Sequence, residues 1–282
     1  MANDIPASIR IIRGANRTLG RVAPSLASRL SRRIFSTPRK FTPREWELSF
    51  EAMATRQRLA SGLSVLCAGD GPLVALIHGW EGRATQFATL APALLARGFS
   101  VVAIDAPGHG HSRGKQSDPY RFAEALIETS TQVGPLYAAV GHSMGGGSIA
   151  LALSSGLPLG RAALIASPSS LHDVLHRFSA AMHLPPKAAD HFVRDARRRI
   201  EARGYRTDDL EGALRSVQVP ALVVHALDDQ EVPFADAERI AGFWPGAVLL
   251  PVEDVGHRRI LRDPVTITAI ADFLSAGHET GR

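Results

Sequence analysis

The run Gly141-His142-Ser143-Met144-Gly145 carries the clearest chemistry in the chain. It follows the apolar stretch Leu136–Val140 and opens into the small-residue stretch Gly145-Gly146-Gly147-Ser148. A serine flanked in this way belongs on a tight strand-to-helix turn that lifts its hydroxyl above a sheet. The helix N-terminus behind it favours negative charge developing nearby. A serine hydroxyl is a weak nucleophile and needs a base. Of the eleven histidines, His257 is the best placed, in Glu253-Asp254-Val255-Gly256-His257 between the last strand and the last helix. His142 cannot readily turn toward its neighbour's hydroxyl, and is grouped with Trp80 among the residues expected to meet a substrate.

A histidine base needs an acid to set its tautomer and stabilise the imidazolium. Asp228 and Asp229 both follow an apolar strand, and Asp229 is preferred. A tetrahedral intermediate would need two donors. The N–H of Met144, directly after the serine, is one candidate, and the N–H of Trp80 in His78-Gly79-Trp80 is the other. His78 reads as a support for that loop. Asp105 with His109 and His111 could suggest a metal site, but the turn reads as structural and no metal is expected.

These groups need a scaffold that brings distant loops together. Short apolar runs alternate with helical stretches. Leu73–Ile77, Ser100–Ile104, Leu136–Val140, Ala162–Ala166, Ala221–Ala226 and Ala247–Leu250 read as strands. Helices are expected near Thr85–Arg97, Pro119–Gln132, Gly145–Ser155, Ala235–Phe243 and Pro264–Leu274. Such alternation with buried strands means an α/β fold with a parallel sheet covered on both faces. Trp46–Arg58 and Leu63–Ala68 read as two antiparallel strands joined at Ser61-Gly62. The insertion at about 169–216 has no good strand and reads as a small helical cap.

Residues 1–45 form a separate arm, ahead of a domain spanning 46–282. The arm holds ten Lys/Arg and two acids, leaving 22 bases against 25 acids in the rest of a chain whose net charge is +5. The basic character belongs to the arm, so the charge gives no reason to expect a nucleic-acid partner. Ile12, Leu19, Val22, Leu26, Leu30 and Ile34 fall on one side of a helix and most of the arginines on the other, with Pro24 interrupting. Such a segment either packs on the body of the protein or touches an anionic membrane or a partner. One cysteine, Cys67, allows no internal disulfide, and no run of about 18 apolar residues is present. The expected location is the cytoplasm.

From about Pro72 to Leu274 the chain resembles the α/β-hydrolase superfamily. The resemblance rests on His78-Gly79-Trp80, on Asp105-Ala106-Pro107-Gly108-His109-Gly110-His111-Ser112, on Gly141–Gly145, on Asp229 with Val232-Pro233, and on Gly256-His257. It implies an eight-stranded, mostly parallel sheet with a cap after the sixth strand, a serine–acid–histidine order, no cofactor, and a small-molecule acyl substrate. Many relatives have glycine where Ala226 stands. An ester is the expected substrate, with thioesters, lactones, C–C bonds and a non-catalytic role as alternatives.

Overall fold

Strands that alternate buried side chains between two faces organise the molecule, whose computed structural model describes residues 7–205 and 210–276. In chain order the elements begin with helices α1 (Ala7–Val22), α2 (Pro24–Ser36) and α3 (Glu45–Met53). Strands β1 (Thr55–Arg58), β2 (Ser64–Ala68) and β3 (Leu73–Ile77) follow, then α4 (Leu90–Leu95), β4 (Ser100–Asp105), α5 (Pro119–Gln132), β5 (Ala138–His142), α6 (Met144–Ser154) and β6 (Arg161–Ile165). The remainder is α7 (Leu171–Ala181), α8 (Pro186–Glu201), α9 (Leu210–Ser216), β7 (Ala221–Ala226), α10 (Phe234–Phe243), β8 (Ala247–Val252), α11 (Gly256–Arg259) and α12 (Pro264–Ser275). The chain divides into two compact units, Met1–Thr37 with Ser170–Asp209, and Pro38–Ser169 with Leu210–Arg282.

The second unit holds an eight-stranded sheet in the order β1-β2-β4-β3-β5-β6-β7-β8. The pairings of β2 with β1 and with β4 are antiparallel, and all others are parallel. Leu76, Val101, Val140 and Ile165 face one core, beneath Leu94, Ile270 and Leu274. Ile77, Val102, Ala139 and Leu164 face the other, beneath Phe122, Leu126 and Ile149. Burial on both faces explains why these strands read as continuous apolar runs. The expectation of a strand over Trp46–Arg58 is corrected: only Thr55–Arg58 is strand, and Glu45–Met53 is helical. Glu45 and Glu47 sit in the first turn of α3, where carboxylates favour a helix start. Glu47 is buried, accepts from the Thr85 hydroxyl at 2.7 Å and pairs with Arg83 at 3.5 Å. That pairing is long-range and leaves no trace in local periodicity.

The first unit joins the arm helices to the insertion helices. Phe35 of α2 meets Phe178 of α7 at 4.9 Å and Phe192 of α8 at 5.6 Å between ring centroids. Asn16 donates to the Met182 carbonyl at 2.9 Å, and Arg13 to the Ala181 carbonyl at 2.7 Å. Pro24 splits the arm into two helices and occupies the first turn of α2, where its missing N–H costs nothing. The buried side of α2 carries the small residues Ala27, Ser28 and Ser31, while Leu26, Leu30 and Ile34 are exposed. Small residues let a neighbouring helix approach closely. The helical arm ends near Thr37, and residues 38–45 group with the sheet. Helix α9 also groups with the sheet, through the buried Leu214. Among the described residues no helix is long and apolar enough to cross a membrane.

Asp105, at the end of β4, gathers three segments of the sheet unit. Its carboxylate accepts from the Ala84 N–H at 2.8 Å and the His111 N–H at 2.9 Å, and pairs with Arg56 at 3.2 Å. It is 1% exposed, so losing it strands those donors away from water. Asp105→Ala is expected to cost about 3 kcal/mol. Urea unfolding checks this, and an unchanged midpoint would show that the three segments hold without it.

Candidate active site

In a parallel sheet the loops after the strands open on one edge. His78-Gly79-Trp80 follows β3, Ser143 follows β5, Asp229 follows β7 and His257 follows β8. Ser143 has φ 52° and ψ −120°, in the left-handed half of backbone space. A non-glycine residue there stores about 1–3 kcal/mol of strain. The surroundings hold it. Its N–H donates to the Ile165 carbonyl at 2.8 Å, and the flanking glycines let backbones close in. A Cβ at Gly141 would lie 2.5 Å from the Gly146 nitrogen, and one at Gly145 would collide with the Ile77 carbonyl.

His257 Nδ1 donates to Asp229 Oδ2 at 2.7 Å. The other Asp229 oxygen accepts from the Glu231 and Val232 N–H groups, at 2.8 and 2.9 Å. Burial opposes the carboxylate charge, but hydrogen bonds from His225, His257 and the Val232 N–H outweigh it, and the carboxyl sits well below its usual range. Asp228 has a different partner. Its Oδ1 accepts from the Gly256 N–H at 2.9 Å and so anchors the loop that presents His257. His225, fully buried, shares its Nε2 proton between the Val232 carbonyl at 3.0 Å and Asp229 Oδ2 at 3.4 Å.

His142 is also buried. Its Nε2 donates to the His257 carbonyl at 2.8 Å, and the two rings lie 4.8 Å apart. The residue before the serine therefore braces the backbone of the histidine loop, and its exposure of 5% leaves little of it for a substrate. His78 fixes the other side. The Ala106 N–H donates to its Nε2 at 3.1 Å, which puts the ring proton on Nδ1, where it is donated to the Gly79 carbonyl at 2.6 Å. A Cβ on Gly79 would fall 2.9 Å from the Ser143 Cβ, so the loop carrying Trp80 lies against the serine. Met144 begins α6, and its N–H is a first-turn amide without an intrahelical acceptor.

Several neighbours escaped the sequence reading. Arg39 grips Glu81, one residue beyond Trp80, through two bonds of 2.7 Å. Glu231 Oε2 lies 4.0 Å from His257 Nε2 and its other oxygen accepts from Arg258 at 2.9 Å. Only His225 had a local signal, standing four residues before Asp229 at the end of its strand. Among the described residues no cluster of three or more His, Cys, Asp or Glu could hold a metal. A hydroxyl on a strained turn, an imidazole fixed by a carboxylate, and amides at a helix start together make a site suited to nucleophilic attack on a carbonyl.

The fold and this constellation define a class of protein, and comparison with known proteins gives the family. The Alpha/beta hydrolase family matches residues 74–270, and the chain belongs to it. It is 29% identical over 235 residues to the pimeloyl-[acyl-carrier protein] methyl ester esterase of Stenotrophomonas maltophilia, covering 68% of this chain and 88% of that one. It is 26% identical over 245 residues to the non-heme chloroperoxidase of Streptomyces lividans, covering 69% and 88%. Among solved structures, the esterase EaEST of Exiguobacterium antarcticum superposes with a TM-score of 0.60 at 20% identity, over 79% of this chain and 100% of that one. That likeness is one of fold.

Burial pushes the buried imidazoles far down, His78 to about 4 and His109 and His142 to about 3, from 6.5. Each stays neutral in the folded protein and takes up a proton more readily when unfolded. The stability they support is full above about pH 6.5 and is lost as pH falls, down to about 4 for His78 and about 3 for His109 and His142, with about 2 kcal/mol per histidine lost at about pH 5. Urea unfolding at about pH 7.5 and about pH 5 checks this, and His109→Gln is expected to narrow the gap between the two midpoints. An equal gap in wild type and variant would mean that His109 takes no part.

Proposed function

We propose that the protein hydrolyses carboxylic esters through an acyl-enzyme on Ser143, with His257 as base and Asp229 as its acid. The bond of 2.7 Å between His257 Nδ1 and Asp229 carries this reading, because it places the ring proton on Nδ1 and leaves Nε2 as the basic nitrogen. Nε2 takes the proton of the Ser143 hydroxyl as its oxygen attacks the ester carbonyl. The carbonyl oxygen becomes an oxyanion, received by the N–H groups of Met144 and Trp80. The intermediate collapses, the C–O bond to the alcohol breaks, and His257 returns the proton to the departing oxygen. Water, deprotonated by His257, then attacks the acyl-enzyme, the C–O bond to Ser143 breaks, and His257 returns the proton to the serine oxygen as the acid leaves. The ester is preferred to a thioester, lactone or C–C bond because relatives near 29% identity are named methyl ester esterases. Met144 and Trp80 are the residues we expect beside the acyl group.

A p-nitrophenyl ester series of increasing acyl length tests the proposal. Wild type is expected to turn over, and Ser143→Ala to lose on the order of 10⁶-fold in kcat. A folded Ser143→Ala of full activity would remove the nucleophile from the scheme. The two adjacent carboxylates separate in the same assay. Asp229→Asn is expected to drop kcat about 10⁴-fold by leaving the imidazole in the wrong tautomer. Asp228→Asn keeps an acceptor for the Gly256 N–H and is expected to stay within about tenfold of wild type. The reverse order would assign the acid to Asp228.

A further inference from the structure

Helix α2 turns its aliphatic side chains outward. Leu26, Leu30 and Ile34 follow one another at i+4 spacing and are 46%, 48% and 37% exposed. At 100° per residue Arg29 and Arg33 fall on the same side, and both are exposed. The buried side runs through Ala27, Ser28 and Ser31, with Ile34 at its edge. Helix α1 adds Ile11 and Val22, 71% and 78% exposed, beside an exposed line of Arg10, Arg17 and Arg21. The two helices hold seven arginines and no acidic residue.

We propose that this face of α1 and α2 docks on an anionic lipid membrane. Aliphatic residues left in water have an unused gain from entering the acyl boundary of a bilayer, and arginines spaced among them can pair with lipid phosphates. The total lack of carboxylates makes the face complementary to an anionic surface. A nucleic acid is a poorer match. Its backbone would use the arginines, but its bases would find no exposed aromatic ring on either helix, since Phe35, their one aromatic residue, is turned into the cluster with Phe178 and Phe192. Helix α2, at 13 residues, is too short to span a bilayer and long enough to lie in the plane of its surface.

Co-sedimentation of the full chain with vesicles tests the proposal, using phosphatidylcholine alone and phosphatidylcholine mixed with phosphatidylglycerol. Wild type is expected to pellet with the mixed vesicles, to stay in solution with the neutral ones, and to be released by salt. Arg29→Gln with Arg33→Gln is expected to weaken binding about tenfold or more. Leu26→Ser with Leu30→Ser and Ile34→Ser is expected to abolish it while circular dichroism and ester turnover are unchanged. Wild type that stays in solution with both vesicles would overturn the proposal, and so would a folded triple-serine variant that binds like wild type. So would loss of binding to a DNA duplex, in place of vesicles, on changing Arg29 and Arg33. A dimer that the triple-serine variant splits, with no vesicle binding, would assign the face to a second copy instead.

Discussion

Everything around the candidate site answers to one constraint, the left-handed backbone at Ser143. A residue with a side chain resists φ near 52°, so the turn persists only where neighbours over-determine it. Three do so at once. The Ile165 carbonyl takes the Ser143 N–H, the Ile77 carbonyl lies where any side chain on Gly145 would fall, and Gly141 lets the start of α6 close over the end of β5. The parallel register of β3, β5 and β6 is what places those groups, so the sheet is the instrument that strains the serine.

Buried imidazoles serve as struts throughout the sheet unit. His78 ties the loop after β3 to the loop after β4, His142 ties the serine turn to the His257 backbone, and His225 ties the loop after β7 to its own strand. His78 uses both ring nitrogens to join two backbone segments, whereas His142 and His225 each make one bond through Nε2 and leave a buried Nδ1 without a partner. His257 differs by its partner, a carboxylate held by two backbone N–H groups. That partner, rather than the residue type, separates the candidate base from the struts.

The unit formed by the arm and the insertion follows a different logic. Its interior is small, centred on Leu175, Phe192 and Val193 with Phe35 and Phe178 packed against them, and α2 enters it with alanine and serine rather than leucine. The larger aliphatics are left over and face outward among arginines.

The sequence alone determined the alternation of strands and helices and the strand-to-helix turn at Ser143, because each is written in residues adjacent in the chain. Helix α5 and strand β7 fall on the residues their periodicity marks. The pairing of α3 with the Arg83 turn, the inverted burial of α2, the grip of Arg39 on Glu81 and the division of work between Asp228 and Asp229 were decided only by tertiary structure. In each case the deciding partner lies at least 20 residues away or on another element. A helix with two possible faces, or a dipeptide with two equal carboxylates, holds no local information about which partner it will meet. The packing of small residues in one case and a single backbone N–H in the other break the tie.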